Sequence, residues 1–502
     1  MKNKRVQVRI TKIYTVLILL SCSIHSYSIP EDVKIGLELS YNFEWNRAEE
    51  IFINMTKENP SRPDGYHFLS SIYLWYYLGG RNKNDFNNFI YYSDQAIELL
   101  KQALDNSPDS AYLNYLLGSS YMYRAVAFTR EENYLDAVWA SKKSEAHLTE
   151  TLRIDPKFVD AYLGLGLYNF AVGQIPSAFQ WALSLAGIKG DKQKGIEYIK
   201  KAATNGNLAK VEAQYYLSQI LTEVLFENEA ALYYLKNLSR KYPNNLLFNY
   251  SYAVAEIKDK NLHDAQRVLY KLVYLNDERF SQIISFSNFL MGDVFFRKNQ
   301  FDSAKVYYLA FLKSTPTIDY TGIANLRLGI SFELTEDRKT AEKFYKSAGY
   351  GNMDLEDDQF AKRKSELYLK KPLSINEHLL IKAVNLIEAR NYKAASDSLK
   401  NLLTKVNGSS LAAEVYLYLS DVCYLLNKAD ESLDAALNAL EANYKEEKWI
   451  APFACFYAAR AYYNMKNKSK SEEYIEKIND YTDFDYQNKL KNLIYSFSLK
   501  EY

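Results

Sequence analysis

Over residues 29–483 the apolar side chains of this chain recur at steps of three and four, the spacing that lines them up along one face of an α-helix. The clearest unit is Phe301-Asp-Ser-Ala304-Lys-Val-Tyr-Tyr308-Leu-Ala-Phe311-Leu312-Lys-Ser-Thr-Pro316, preceded by Asn288, Met291-Gly292 and Phe295. It predicts two amphipathic helices joined by a Lys-Asn-Gln turn. The same unit recurs along the chain, so the pattern predicts an all-α protein built as an array of about eleven helical hairpins.

A small residue marks each helix of each unit. In the first helix of successive hairpins it is Gly36, Ser70, Gly118, Gly166, Ser218, Ala253, Gly292, Gly329, Ala383, Ser420 and Ala459. In the second it is Ala48, Ala96, Ser144, Gly195, Ala231, Ala265, Ala304, Ala341, Ala395, Ser432 and Ser471. Eight of these pairs are twelve residues apart, or thirteen in one case, which places both residues where the two helices approach most closely. A larger side chain there would push the backbones apart. Pro60, Pro108, Pro156, Pro243 and Pro316 each follow their small residue by twelve and end the second helix, since proline cannot donate to a continuing helix. In the second to fourth units the small pair is separated by 26, 26 and 29 residues, and the inserts are apolar and aromatic, including Trp75 to Leu78, Tyr121 to Phe128 and Phe179 to Leu185. Such inserts lengthen helices rather than loop out.

The repeat resembles the tetratricopeptide superfamily over essentially all of 29–483. A shorter stretch carries a second likeness. Gly164-Leu-Gly166-Leu-Tyr168-Asn-Phe170, then Ile175-Pro176, then Leu185-Ala-Gly187-Ile-Lys-Gly190-Asp191-Lys-Gln-Lys-Gly195-Ile196 is similar to a segment of bacterial exported tetratricopeptide proteins. It is also similar to one in the eukaryotic family that includes the fungal inclusion-body clearance protein. The resemblance implies an α-α superhelix and a scaffold or adaptor role, with no chemistry and no cofactor. Near 351–374 the repeat lapses, at Asp354-Leu-Glu-Asp-Asp358 and a basic helical stretch, so that segment reads as a break or hinge between an array at 29–350, with extended hairpins at 63–209, and another at 375–483. Residues 484–502 read as a capping helix with Leu490, Leu493, Ile494 and Phe497 on one face, because a terminal repeat otherwise exposes its core side.

The ends and the composition bear on location and partner. Lys2, Lys4, Arg5, Arg9 and Lys12 precede the apolar run Ile13 to Leu20, and Ser26-Tyr27-Ser28 offers a small-x-small cleavage site, so 1–28 read as a signal peptide. Leu19-Leu20-Ser21-Cys22 resembles a bacterial lipobox, which makes Cys22 a candidate for lipidation and leaves two fates open, a soluble periplasmic chain or one anchored at the outer membrane. No later segment is apolar enough to span a bilayer. The 62 basic and 61 acidic residues give a net charge of +1, without the basic stripe that phosphate backbones require, so nucleic acid is not the expected partner. Cys423 and Cys455 fall on core-facing positions and read as buried free thiols.

Catalytic signatures are not found. The five histidines are scattered without an HExxH or a Cys/His zinc spacing, and no metal or catalytic residue is expected. Gly187-Ile-Lys-Gly190-Asp191 lacks the Lys-Ser/Thr ending of a phosphate loop and reads instead as a glycine helix stop followed by an Asp191 N-cap. The first helices of a tetratricopeptide array line its concave surface, and that resemblance assigns Tyr112, Tyr115, Tyr123, Tyr250, Phe286, Phe289, Phe296, Phe453, Phe456 and Tyr463 to an aromatic groove. Asp293 and Arg297 flank its central stripe. Such a groove suits a peptide or protein segment, and the expected function is a non-enzymatic interaction scaffold of the cell envelope. The alternative is a carbohydrate- or nutrient-binding surface lipoprotein, disfavoured by only five tryptophans.

Overall fold

The computed structural model describes residues 29–174, 187–275, 277–406, 408–444 and 446–501. The proposed signal peptide, Cys22 and the apolar stretch 175–186 therefore lie outside the described residues. Within them the chain is helical throughout, with 24 α-helices and two short 3-10 turns and no strand.

The helices pair in order. The first four hairpins join α1 (Glu31–Tyr41) with α2 (Trp45–Glu58), α3 (Pro63–Gly80) with α4 (Lys83–Asn106), α5 (Ala111–Arg130) with α6 (Tyr134–Ile154), and α7 (Ala161–Gly173) with α8 (Lys192–Asn205). The next four join α9 (Lys210–Glu223) with α10 (Asn228–Lys241), α11 (Leu246–Lys258) with α12 (Leu262–Val273), α13 (Ser281–Arg297) with α14 (Phe301–Ser314), and α15 (Thr321–Leu334) with α16 (Arg338–Ala348). A single helix, α17 (Glu356–Lys370), packs on α15 and α16. Three hairpins complete the array: α18 (Ile375–Glu388) with α19 (Tyr392–Val406), α20 (Leu411–Leu425) with α21 (Ala429–Glu441), and α22 (Ile450–Asn464) with α23 (Lys468–Lys477). The last helix is α24 (Gln487–Glu501).

The small residues sit where the spacing requires. A Cβ added at Gly292 would lie 2.6 Å from the Tyr308 ring, one at Gly329 2.5 Å from Tyr345, and one at Gly36 2.3 Å from Phe52. In the tenth hairpin Ser420 and Ser432 each donate a 2.8 Å hydrogen bond to the other's carbonyl, so the contact is polar as well as close. The third and fourth helices of the array run 18 and 24 residues and the next two 20 and 21, which is where the first two apolar inserts go. Asp191 caps α8 by accepting from the Lys194 N–H at 3.0 Å, and Gly187 has a φ of 70°.

A feature the sequence pattern does not announce is the turn inside ten of the eleven hairpins. Phe43, Arg81, Glu132, Phe226, Lys260, Asn299, Glu336, Arg390, Asn427 and Lys466 all have φ between 52° and 67°. In nine of these ten turns the next N–H reaches back to a carbonyl of the first helix, as from Gln300 to Phe295 at 2.9 Å and from Asn467 to Tyr462 at 2.9 Å. This satisfies the carbonyls a helix end leaves free and aims the second helix back along the first.

The array also closes on itself. The Asn245 amide donates to the Tyr41 carbonyl at 2.8 Å, the Tyr242 hydroxyl to Glu38 at 3.1 Å, and Lys241 pairs with Glu38 at 2.9 Å. Phe280 fills the notch at Gly79 and meets Phe43 and Trp45, while Arg279 donates to the Tyr76 hydroxyl at 2.7 Å. One winding of the superhelix thus brings the first two hairpins onto the fifth, sixth and seventh. The next winding repeats the contact, since the Asn385 amide donates to the Phe296 carbonyl at 2.8 Å.

Candidate functional site

Tight winding leaves a channel along the axis of the second half of the array. Its volume is about 1340 Å³, and its wall is drawn from α9, α11, α13, α15, α17, α18, α20, α22 and α24, with the start of α10, the end of α19 and intervening turns. The wall mixes aromatic and aliphatic side chains with many charges of both signs.

The charges are arranged in two networks. In the first, Asp293 of α13 accepts from the Tyr308 hydroxyl at 2.6 Å, is bonded by Arg327 of α15, and lies 3.8 Å from Arg297. Arg297 continues to Glu388 of α18, which also faces Lys260 at 3.4 Å. Lys260 lies 4.0 Å from Asp421 of α20, and Asp421 accepts from Arg460 of α22 at 2.9 Å. Arg460 in turn stacks on Tyr424, its guanidinium 3.7 Å from the ring centre. Burial alone would raise the Glu388 carboxyl, but Arg297 and Lys260 hold it below its ordinary value.

The second network surrounds Lys364 of α17. Its ammonium lies 2.5 Å from Glu447 and 3.9 Å from Glu414, and Glu447 also accepts from Arg363 at 2.7 Å and from the Trp449 indole N–H at 2.8 Å. Burial raises the Glu414 carboxyl, against the pull of Lys364, whereas Glu447, with two cations and an indole N–H, stays below its ordinary value. Among the described residues no group of His, Cys, Asp and Glu could hold a metal ion, and no helix is long and apolar enough to cross a membrane. Cys423 and Cys455 are buried and free.

The twelve residues assigned to one aromatic groove do not form one. Tyr112, Tyr115 and Tyr123 are buried in the first winding. The Tyr115 ring meets Phe158 at 4.9 Å, and Tyr123 stacks on His67 at 5.6 Å and donates to Glu212 at 3.1 Å. Phe286 and Phe289 pack against Phe311 and Tyr320 with ring centres 5.3 to 5.9 Å apart, so they belong to the layer between α13, α14 and α15. Tyr250 is half-buried outside the channel wall. Asp293 is 5% exposed and satisfied by its network rather than offered to a partner. Tyr463 lies against Phe497 of α24 at 5.3 Å. Only Phe296, Arg297, Phe453 and Phe456 line the channel. The physical reason is the tight winding, which puts a neighbouring helix over most of the face that an open array leaves bare.

Sequence reasoning missed Lys260, Arg327, Lys364, Glu388, Glu414, Asp421, Glu447 and Arg460. A signal for most of them exists. Arg327 is the one charge in the first twelve residues of α15, Arg460 the one charge in α22, and Glu414 and Asp421 the two in α20, each in an otherwise largely apolar helix. A lone charge on such a helix must find a partner on another element.

A family model described as Iml2/Tetratricopeptide repeat protein 39 matches residues 120–317, and a tetratricopeptide repeat model matches 382–447. No curated protein matches the chain. Solved structures of similar repeat type include PilF of Pseudomonas aeruginosa, with 16% identity, 55% of this chain and 96% of that one covered, and a TM-score of 0.33. Yeast Tom70 has 14% identity, 87% and 96% coverage and a TM-score of 0.30. A human IFIT1 dimer with m7Gppp-AAAA has 13% identity, 90% and 95% coverage and a TM-score of 0.30. At such scores none of them informs the site.

Proposed function

We infer that this tetratricopeptide-repeat protein is a non-enzymatic scaffold that holds a segment of another protein in its axial channel. The observation that supports the reading is the channel itself, about 1340 Å³ of space walled mainly by nine helices and presenting both apolar side chains and fixed charges. Glu388, Asp421 and Glu447 already answer cations, so they act as a rigid polar lining that can match the backbone and side chains of a bound segment. Crosslinking in the native cell followed by mass spectrometry tests the reading. A defined protein attached to the wall lysines Lys258, Lys371 or Lys405 is the expected result. Crosslinks confined to the outer helices, or no protein partner, would overturn it.

The leader at 1–28 supports export to the cell envelope. Intact-mass and N-terminal sequencing of the native protein checks this, expecting a mature chain that begins at Ile29 or at an acylated Cys22. In the second case Cys22→Ala abolishes membrane association.

A further inference from the structure

We propose that α24 is an internal ligand of the channel, and that a partner's amphipathic helix of the same chemistry displaces it. The proposal rests on the scaffold reading above and names its partner class.

A helix that merely capped the last hairpin would touch α22 and stop there. The apolar stripe of α24 does meet α22, with Leu490 1% exposed and Phe497 5.9 Å from Phe456. The start of α24, however, is held by α17. Arg363 donates to Asp485 at 2.8 Å, the Tyr486 hydroxyl to Asp357 at 3.3 Å, and the Tyr486 ring meets Phe360 at 5.2 Å. Glu356 then accepts from the backbone N–H groups of Asn488 and Lys489 at 2.6 and 3.2 Å. Those N–H groups are ones a helix start leaves free, and a carboxylate is the group its dipole favours. On the opposite side the Ser496 hydroxyl donates to the Leu225 carbonyl, and Lys192 lies 3.6 Å over the Tyr495 ring. One short helix thus bridges Lys192 of the fourth hairpin and Tyr463 of the last.

The helix is nevertheless not enclosed. Asn488, Lys489, Asn492 and Leu493 form part of the wall of the open channel, so α24 is both occupant and lining. Its seat also reads features that another chain can supply. Glu356 accepts from backbone alone, whatever the side chains. Arg363 and Phe360 read an acidic residue followed by an aromatic one just before the helix. Phe456 and Tyr463 read an aromatic ring nearly three turns in, on a stripe at the spacing of 490, 493, 494 and 497. A helix with those features fits the seat once α24 has left it.

The test uses the full chain and a fluorescein-labelled peptide of residues 484–500, followed by fluorescence anisotropy. Leu490→Asp with Phe497→Asp removes the stripe from the intramolecular helix and leaves the seat intact. With α24 seated in more than about nine-tenths of wild-type molecules, the folded double variant binds the peptide at least about tenfold more tightly than the wild-type chain does. Adding Glu356→Lys to the variant weakens that binding by a similar factor. Equal binding by both forms, or no saturable binding by a folded variant, overturns the proposal. Should the variant not fold, hydrogen exchange of the wild-type chain decides instead. Amides of 488–499 exchanging at least about a hundredfold faster than those of α22 uphold a releasable helix. Exchange as slow as that of α22 makes α24 a core element and ends the idea. Failure of the scaffold reading shows separately, as the absence of any crosslinked protein from either form.

Discussion

Asp293 shows how a single side chain changes meaning between sequence and structure. In the sequence it flanks a stripe of aromatic residues, but in the fold it takes a hydrogen bond from Tyr308 and answers Arg327 and Arg297. Asp293→Ala leaves the half-buried Arg327 without its closest counter-charge and the buried Tyr308 hydroxyl without its acceptor, and a buried polar group left unsatisfied costs about 1–3 kcal/mol. A thermal or urea melt is expected to show that loss directly. Its neighbour Gly292 was fully legible, because closeness to a second helix demands a small residue whatever the charges do. The charge partner was not, because it comes from a different hairpin, and local periodicity says nothing of which hairpins meet. The left-handed turn residues were invisible for a related reason, since glycine would mark them and ten other residues stand there instead. Lys466, exposed and at φ 63°, carries that strain while its N–H donates to the Tyr463 carbonyl at 2.9 Å, a bond that glycine keeps. Lys466→Gly relieves about 1–2 kcal/mol of left-handed strain and loses about half of that again to the freer unfolded chain. A small rise in melting temperature is the expected outcome.

Helices and their pairings were the most legible level, because each hairpin is specified by contacts inside about 34 residues of chain. What the elements do beyond their own hairpin was less so. Phe289 and Phe296 stand on one stripe of α13, and the resemblance to open arrays puts that stripe on a free concave face. Both are buried, Phe289 against Phe311 and Tyr320, and Phe296 against Phe301. Truncating a buried Phe costs about 3–5 kcal/mol, so Phe289→Ala with Phe296→Ala should sharply lower the unfolding midpoint in denaturant before any question of binding arises. An unchanged midpoint would return the stripe to the surface. The lapse at 351–374 has a similar lesson. Its acidic run does not loop out but supplies Glu356 and Asp357 to the start of α24, and Asp358 to the Ile323 N–H at 2.8 Å. Residues that break the repeat are those that serve another element.

For the whole molecule, the decisive fact is that distant hairpins touch. Glu212 of α9 is buried against the hydroxyl of Tyr123 from α5, and burial pushes its carboxyl up to about 7 from an ordinary 4.5. A carboxyl raised on folding binds its proton more tightly in the native state, so its contribution is fully present below pH 4.5 and lost as the pH rises through about 7. Relative to Glu212→Gln, the wild-type chain should therefore lose melting temperature as the pH rises from 5 to 8.5. Winding has a further consequence, in time rather than in space. Repeats that touch only their neighbours can fold as they are made. The first hairpin here waits for Tyr242 and Asn245, and the Gly79 notch waits for Phe280, some 200 residues later in each case. At about 5–20 residues per second of synthesis, that is roughly 10–40 s during which Tyr41 and Phe43 lack the rings of Tyr242 and Phe280. A chain so built offers a chaperone its opening hairpins long before its own later ones arrive.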